Sequence, residues 1–288
     1  MTQSNTDTTG PINGSGISYN NLSGTFTVSG TNDSITVNGD SNITVLSPTA
    51  PAVDGGNVIH LGDTTSTVIE SASNSNIIYG HGAEIITLGL NDTVSLAGGQ
   101  NDSVTINSND HVNLTNTGTD FVLFNGSNNA VQLGGAISGQ ENTYISRSAI
   151  DNTIALRDNT TYMVDDYGSN NSYHLGSASI SVTGSASDTF YALELGNHAI
   201  TLPGGSNTII VRNGTIVGHD DAITITNFVD GHDTLKLLGG AAIAQNGANV
   251  LTHITEGGSG AVLTLGSETI TFAGVNVGQF HTGDFIIV

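Results

Sequence analysis

The sequence predicts an all-β fold, a right-handed parallel β-solenoid of the β-roll or β-helix kind, with about 18 residues per coil and a C-terminal β cap. Three observations predict it. Glycine supplies 38 of 288 residues and proline only four, a composition of many tight turns that excludes collagen. Val, Ile and Leu recur in short alternating bursts, which a disordered chain has no reason to keep. These bursts return at nearly constant spacing, which is the mark of stacked repeats.

The repeat is a polar turn followed by apolar-x-apolar. It appears as GTNDSITV (30–37), GLNDTVSL (89–96), GQNDSVTI (99–106), GSNNAVQL (126–133), GSNNSYHL (168–175) and GHDDAITI (218–225). Its first apolar residue falls at Ile59, Val68, Ile77, Ile86, Val94, Val104, Val112, Val122 and Val131, in steps of 8 to 10 residues. One such unit is a strand too short to form a core alone. Two units make one coil, each strand pairing in parallel with its counterpart one coil away, and right-handed crossovers are the rule for such connections.

Inward positions are then aliphatic, as Val94 and Leu96, Val104 and Ile106, Val112 and Leu114, Val131 and Leu133, Ile200 and Leu202, and Ile209 and Val211 are. Between about 134 and 190 the phasing loosens, Tyr144, Tyr162, Tyr173 and Phe190 take inward slots, and irregular or wider coils are expected. Residues 46–58 hold two of the four prolines and read as a loop excursion. The chain therefore divides into a flexible segment at 1–20, a solenoid over 21–225 and a cap over 226–288, with one weak helix candidate at 239–249.

Charge narrows the partners. Twenty-five acidic residues face Lys236, Arg147, Arg157 and Arg212, a formal net charge of −21. Four scattered cations make no basic stripe, so nucleic acid is excluded as a partner and divalent cations are the natural counter-charge. There is no cysteine for a disulfide or a thiolate site. No apolar run is long enough to span a membrane. The polar N-terminal stretch MTQSNTDTTGPINGSG has no Sec signal character, so export is expected to use another route.

The position two before each first apolar residue forms a row: Asn57, Ser66, Ser75, Glu84, Asp92, Asp102, Asp110, Asp120, Asn129, Asn142, Asn152, Thr160, Asn171, Ala178, Asp188, His198, Asn207, Asp221 and Asp233. The interval from Asp92 to Asp110 equals those from Glu84 to Asp102 and from Asp102 to Asp120, so a coil of that length stacks like charges. Calcium, which takes six to eight oxygens, would turn that repulsion into ligation across coils. Glu84, Asp92, Asp102, Asp110 and Asp120 are the principal candidate ligands, with Asp33 and Asp221 at equivalent turns. Over 126–211 metal-free side-chain ladders of Asn, Ser and Thr are the favoured reading.

The turn GGQNDSVTI (98–106) resembles the RTX, or hemolysin-type, calcium-binding nonapeptide. Gly98, Gly99, Asp102 and Val104 match its pattern with one turn residue missing, and no copy in the chain carries the full glycine set. The tail adds a second resemblance. DAITITNFVDGHDTLKLLGG (221–240), AVLTLGSETITFAGV (261–275) and the ending Asp284, Phe285, Ile286, Ile287, Val288 are similar to the C-terminal segment of type I secreted proteins such as the serralysins. That resemblance implies a last coil leading into antiparallel strands, an export signal at 284–288 and the type I secretion machinery as partner. It does not extend to protease activity, because no His-Glu-x-x-His occurs.

Polysaccharide-lyase or hydrolase chemistry is disfavoured too. His81, His219 and the Asp pairs at 165–166 and 220–221 lack the cationic partner that such sites use. The resulting expectation is a bacterial, secreted, extracellular protein without catalysis. It would be a calcium-responsive structural or interaction solenoid of surface layer, biofilm matrix or adhesion, associating with itself or with extracellular polysaccharide. The alternative is a carbohydrate- or ice-binding face built from outward Thr36, Thr44, Thr87, Ser95, Thr105, Thr201, Thr224, Thr264 and Thr271, interrupted by Asn113, Leu123, Gln132 and His174.

Overall fold

A computed structural model describes residues 2–4, 10–12, 18–28, 32–45, 56–61, 66–70, 76–78, 83–96, 102–115, 120–134, 141–157, 161–184, 187–193, 197–212, 222–238, 247–265 and 268–288. It is a parallel β-solenoid divided into two compact units, Met1–Asn152 and Thr153–Val288. Asp221, Ser75, Thr160, His81 and His219 lie outside the described residues.

In the first unit each short strand pairs in parallel with the second strand after it, so two strands make one coil. Ile85 is in register with Ser103 and Ser103 with Phe121, while Thr93 is in register with His111 and His111 with Ala130. The alternation that defines the repeat puts one face of each strand inside. Ile59, Ile77, Val94, Val112 and Val131 form one inward file in register, and Ile43, Val68, Ile86, Val104 and Val122 form another. All ten are buried, and each such aliphatic side chain contributes about 1.5–3 kcal/mol by leaving water.

The coil that carries residues 46–58 is longer than the next one. Ser34 is in register with Val58 and Val58 with Asn76, and the chain spends more residues on the first of these coils than on the second. Residues 46–55 themselves lie outside the described residues, and Val58 already belongs to the strand Val58–His60.

The second unit has the same design with larger inward groups. Ile154, Tyr173, Phe190, Ile209, Leu235 and Phe285 run in one file, and Tyr162, Ile180, Ile200, Ile225 and Phe272 in another. Tyr173 and Phe190 stack with ring centroids 5.1 Å apart. Its cap is the antiparallel run Ile254–Glu256, Gly260–Leu265 and Glu268–Ala273, whose last strand rejoins the parallel sheet on Ala222–Thr226. Phe228, Phe272, Phe280 and Phe285 cluster beneath it. Of the weak helix signal at 239–249, residues 239–246 lie outside the described residues and 247–249 begin the short helix Gly247–Leu251.

Two expectations are corrected, the first only in part. The wider coils expected between about 134 and 190 occur at the start of that stretch, where Phe121 pairs with Asn142 and the Asn129 N–H reaches Asn152; beyond 153 Thr153 pairs with Ser172, and Ser172 with Thr189, at spacings close to that from Thr93 to His111. Large aromatics there are accommodated inside without lengthening the turns. The second correction is Tyr144, which faces outward at 38% exposure because Val122 is in register with Thr143, leaving Thr143 and Ile145 inside.

Candidate functional site

The polar row is the feature that distinguishes the turns, and its geometry follows from one residue upstream. Asn32, Asn91, Asn109, Asn128, Asp151 and Asn170 all have left-handed backbone, with φ between 57° and 61°. Asn and Asp tolerate that conformation better than other residues with a side chain. The reversal turns the next side chain inward, and the strand follows. Asn57, Ser66, Glu84, Asp92, Asp102, Asp110, Asp120, Asn129, Asn152, Asn171, Asp188, His198, Asn207 and Asp233 are all buried, and a left-handed residue directly precedes Asn57, Asp92, Asp110, Asn129, Asn152 and Asn171 among them.

Burial demands partners, and the neighbouring coil supplies them. The N–H of Glu84 donates to Asp102 Oδ1 at 2.9 Å, that of Asp102 to Asp120 Oδ1 at 3.0 Å, and that of Asp92 to Asp110 Oδ1 at 2.9 Å. Continuing the second file, Asp110 N–H donates to Asn129 Oδ1 at 2.8 Å and Asn129 N–H to Asn152 Oδ1 at 3.0 Å. Asp33 N–H meets Asn57 Oδ1 at 3.0 Å in the same way. The second unit repeats the pattern from Asn171 to Asp188, Asp188 to Asn207 and Asn207 to Asp233. Its last backbone N–H, on Asp233, turns instead onto Val229 O at 2.8 Å.

The choice between Asp and Asn follows the peptide orientation of the turn. Asp92 and Asp110 accept a second N–H, from Gly89 at 2.7 Å and Asn107 at 3.0 Å. Asn129 instead donates its amide to Asn107 O at 2.7 Å and Gly126 O at 3.2 Å. An inward N–H selects a carboxylate and an inward carbonyl selects an amide. Burial pushes the Asp110 carboxyl up to about 6, against the opposing pull of the Asp92 and Asn107 N–H groups and of His111.

The sequence grouped Glu84, Asp92, Asp102, Asp110 and Asp120 as calcium ligands; the structure brings them together in the two predicted files. A calcium cage is made of oxygens. At Asp92 and Asp110 both carboxylate oxygens instead accept backbone N–H, and at Asp102 and Asp120 one oxygen does. Main-chain donors therefore engage both oxygens of Asp92 and Asp110 and Oδ1 of Asp102 and Asp120.

A different set gathers at the cap. One ligand atom each from Asp230, His281 and Asp284 lie within 4.8 Å of one another, beside a pocket of about 400 Å³ lined also by Gly231, Asp233, Thr234 and Gly283. Asp284 is buried and accepts the Gly231 N–H at 3.0 Å and the His281 N–H at 2.6 Å. His281 Nδ1 lies 2.7 Å from Asp230 Oδ1, a contact that raises the imidazole's proton affinity and lowers that of the carboxylate. An imidazole with two carboxylates suits a transition-metal dication better than calcium. Sequence reading picked Asp284 as a tail residue and missed this grouping, because 51 residues separate Asp230 from His281.

The tail residues Phe285, Ile286 and Ile287 form a strand parallel to Leu235–Leu237, with Phe285 buried and Ile286 and Val288 exposed. Outward rows are mixed: Ile69, Thr87, Thr105, Leu123 and Tyr144 are in register along one face, so that row is no threonine array. No helix among the described residues is long and apolar enough to cross a membrane. Compared with known proteins, the chain matches no protein-family model and no curated protein sequence.

Proposed function

We propose that this chain is a non-catalytic structural or interaction solenoid that works outside the cell, and that its folded state responds to calcium. The observation that carries the reading is the stacked polar ladder, which joins each coil to the next through buried side chains. Such a stack suits a scaffold, because its buried acids are engaged by the chain's own amides and not held ready for a substrate. Calcium enters as counter-cation to the chain as a whole. Residues 1–146 contain twelve acidic residues and no Lys or Arg, and several of those acids stack inside. A cation that favours the compact form over the expanded one stabilises it by mass action.

Export by a type I route belongs to the same proposal. Its support is the likeness of 221–240, 261–275 and 284–288 to the secretion segment of type I exported proteins; because Asp284 and Phe285 are buried in the cap, such a signal would be read before folding. The alternative of a carbohydrate- or ice-binding face has less support, since threonines in the described outward row give way to Ile69, Leu123 and Tyr144.

The test is far-UV circular dichroism of the chelator-treated full chain during titration with calcium, with magnesium as the control. A calcium-specific gain of β signal is expected. A chain with full β signal in chelator removes calcium from the proposal and leaves the amide ladder sufficient for folding.

A further inference from the structure

The strand Thr161–Asp166 alternates outward and inward residues, and its third inward slot, after Tyr162 and Val164, holds a carboxyl group. Asp166 is fully buried and surrounded by donors. Its Oδ1 accepts the Gly168 N–H at 2.7 Å, Asn171 Nδ2 lies 3.3 and 3.1 Å from its two oxygens, and the Tyr173 hydroxyl donates to Oδ2. That set describes an ionised carboxylate.

Asp188, on the adjacent rung of the polar row, is also buried. Its Oδ1 accepts the Asn171 N–H at 2.9 Å. Its Oδ2 has no hydrogen-bond donor among the described residues, and Asn171 brings the two carboxyl groups together, binding Asp188 through its N–H and Asp166 through Nδ2. An anion in that position would leave a dry oxygen facing a second negative charge, an arrangement that protonation of one partner relieves. We propose that Asp166 and Asp188 share a single proton, carried on Asp188 Oδ2 and donated to Asp166, and that this carboxyl pair makes the second unit lose stability as the pH rises out of the acid range.

The one unsatisfied oxygen is then a hydroxyl donor, and the over-supplied carboxylate is its acceptor. Among the described residues nothing else facing the pair neutralises it. Tyr173 is the titratable group that meets it from Ser172–His174, and its own ionisation is pushed far up by burial and by the two carboxyls. Asp165 turns outward and pairs with Thr183 on Ser179–Gly184. His174 and Tyr191 stack on each other on the outward side, and Asp233, along the row, is separated from the pair by Asn207. Arg157 and Arg212 are exposed, and Lys236 points outward on its strand. Burial first, then the neighbouring carboxylate, raises the Asp188 carboxyl to about 8.

The sign follows from linkage. The folded unit holds a proton that the unfolded chain releases near pH 4, so the pair's contribution is full at acid pH and is lost as pH rises toward about 8. Above that it is flat.

Infrared spectra of the full-length protein between pH 5 and 10 test this directly. The wild type should show a protonated-carboxyl C=O band at pH 7 that disappears with a midpoint near pH 8. Asp188→Asn, an amide like Asn171 and Asn207 in the same row, should lack the band and lower the pH dependence of the urea midpoint by about one proton. Tyr173→Phe, which takes a donor from Asp166, should keep the band and move its midpoint to higher pH. Absence of the band in wild type at pH 7, or its full persistence in Asp188→Asn, overturns the proposal. If Asp188→Asn does not fold, the wild-type titration and Tyr173→Phe decide it: an unshifted Tyr173→Phe midpoint overturns it too.

Discussion

The backbone N–H of Asp92 donates to Oδ1 of Asp110, 2.9 Å away and one full coil later in the chain. Asp110 Oδ2 closes its own turn on the Asn107 N–H, so one side chain ties a coil both to itself and to its predecessor. Asn and Asp at this position are consequently not interchangeable.

Asn129 tests that point. Its side chain accepts from Asp110 N–H and donates to the Asn107 and Gly126 carbonyls. Asn129→Ala should lower stability by about 2–4 kcal/mol, several buried polar groups losing a partner at once. Asn129→Asp should also be less stable than wild type at pH 7, because it sets a carboxylate against two carbonyls, and should recover as pH falls. Urea unfolding at pH 5 and 7 checks both, and equal stability of Asn129→Asp and wild type at pH 7 would contradict the orientation rule.

Asp110 gives a pH signature. Burial raises its carboxyl to about 6, so the folded chain keeps a proton that the unfolded chain releases near pH 4. Its contribution is full below that value and is lost as pH rises to about 6, amounting to roughly 3 kcal/mol at about 1.4 kcal/mol per pKa unit for a fully buried group. Asp110→Asn should flatten this part of the stability profile. Chemical denaturation across pH 4 to 7 measures it.

Gly126 sits at a close approach of adjacent coils. A Cβ there would overlap the carbonyl of Asn107 and the hydroxyl of Ser108 on the preceding coil. Gly126→Ala should therefore be destabilising by more than about 2 kcal/mol, as for other overpacked sites, whereas Gly258→Ala, which meets open space, should leave the melting temperature within error. Differential scanning calorimetry of the two variants provides the comparison.

Asp284 holds the tail strand by accepting two backbone N–H groups. Asp284→Ala should speed amide hydrogen exchange at Phe285–Ile287 and at their partners in Thr234–Leu238, with little change at Thr93–Leu96 in the other unit. Exchange mass spectrometry reads all three segments, and unchanged protection of 285–287 would show that the strand pairing alone secures the tail.

The inward files and coil length were legible because a period of nine with alternating Val, Ile and Leu leaves few other ways to bury them. The polar row was equally legible as a position, from Asp92 and Asp110 to Asn207. What the sequence did not disclose was the partner of each row residue, since Asp is read identically whether it faces an amide or an ion. Tyr144 was misplaced because the step from Phe121 to Asn142 is longer than that from Ser103 to Phe121, which shifts the phase. Asp166 was missed as a buried group because it stands in a slot that apolar residues fill elsewhere, and Asp230 with His281 because the fold alone joins them.

A ladder in which every side chain serves the coil before it has a direction, and a directional stack grows by addition unless something ends it. The N–H of Asp233, folded back onto Val229 O, is that ending. The donor that would receive another polar rung is already satisfied within its own turn, so this polar row stops at Asp233 while the apolar file beside it runs one strand further, to Phe285. Polar and apolar rows of the same unit thus end at different places, and the last strand is held by packing and backbone pairing without a rung of its own.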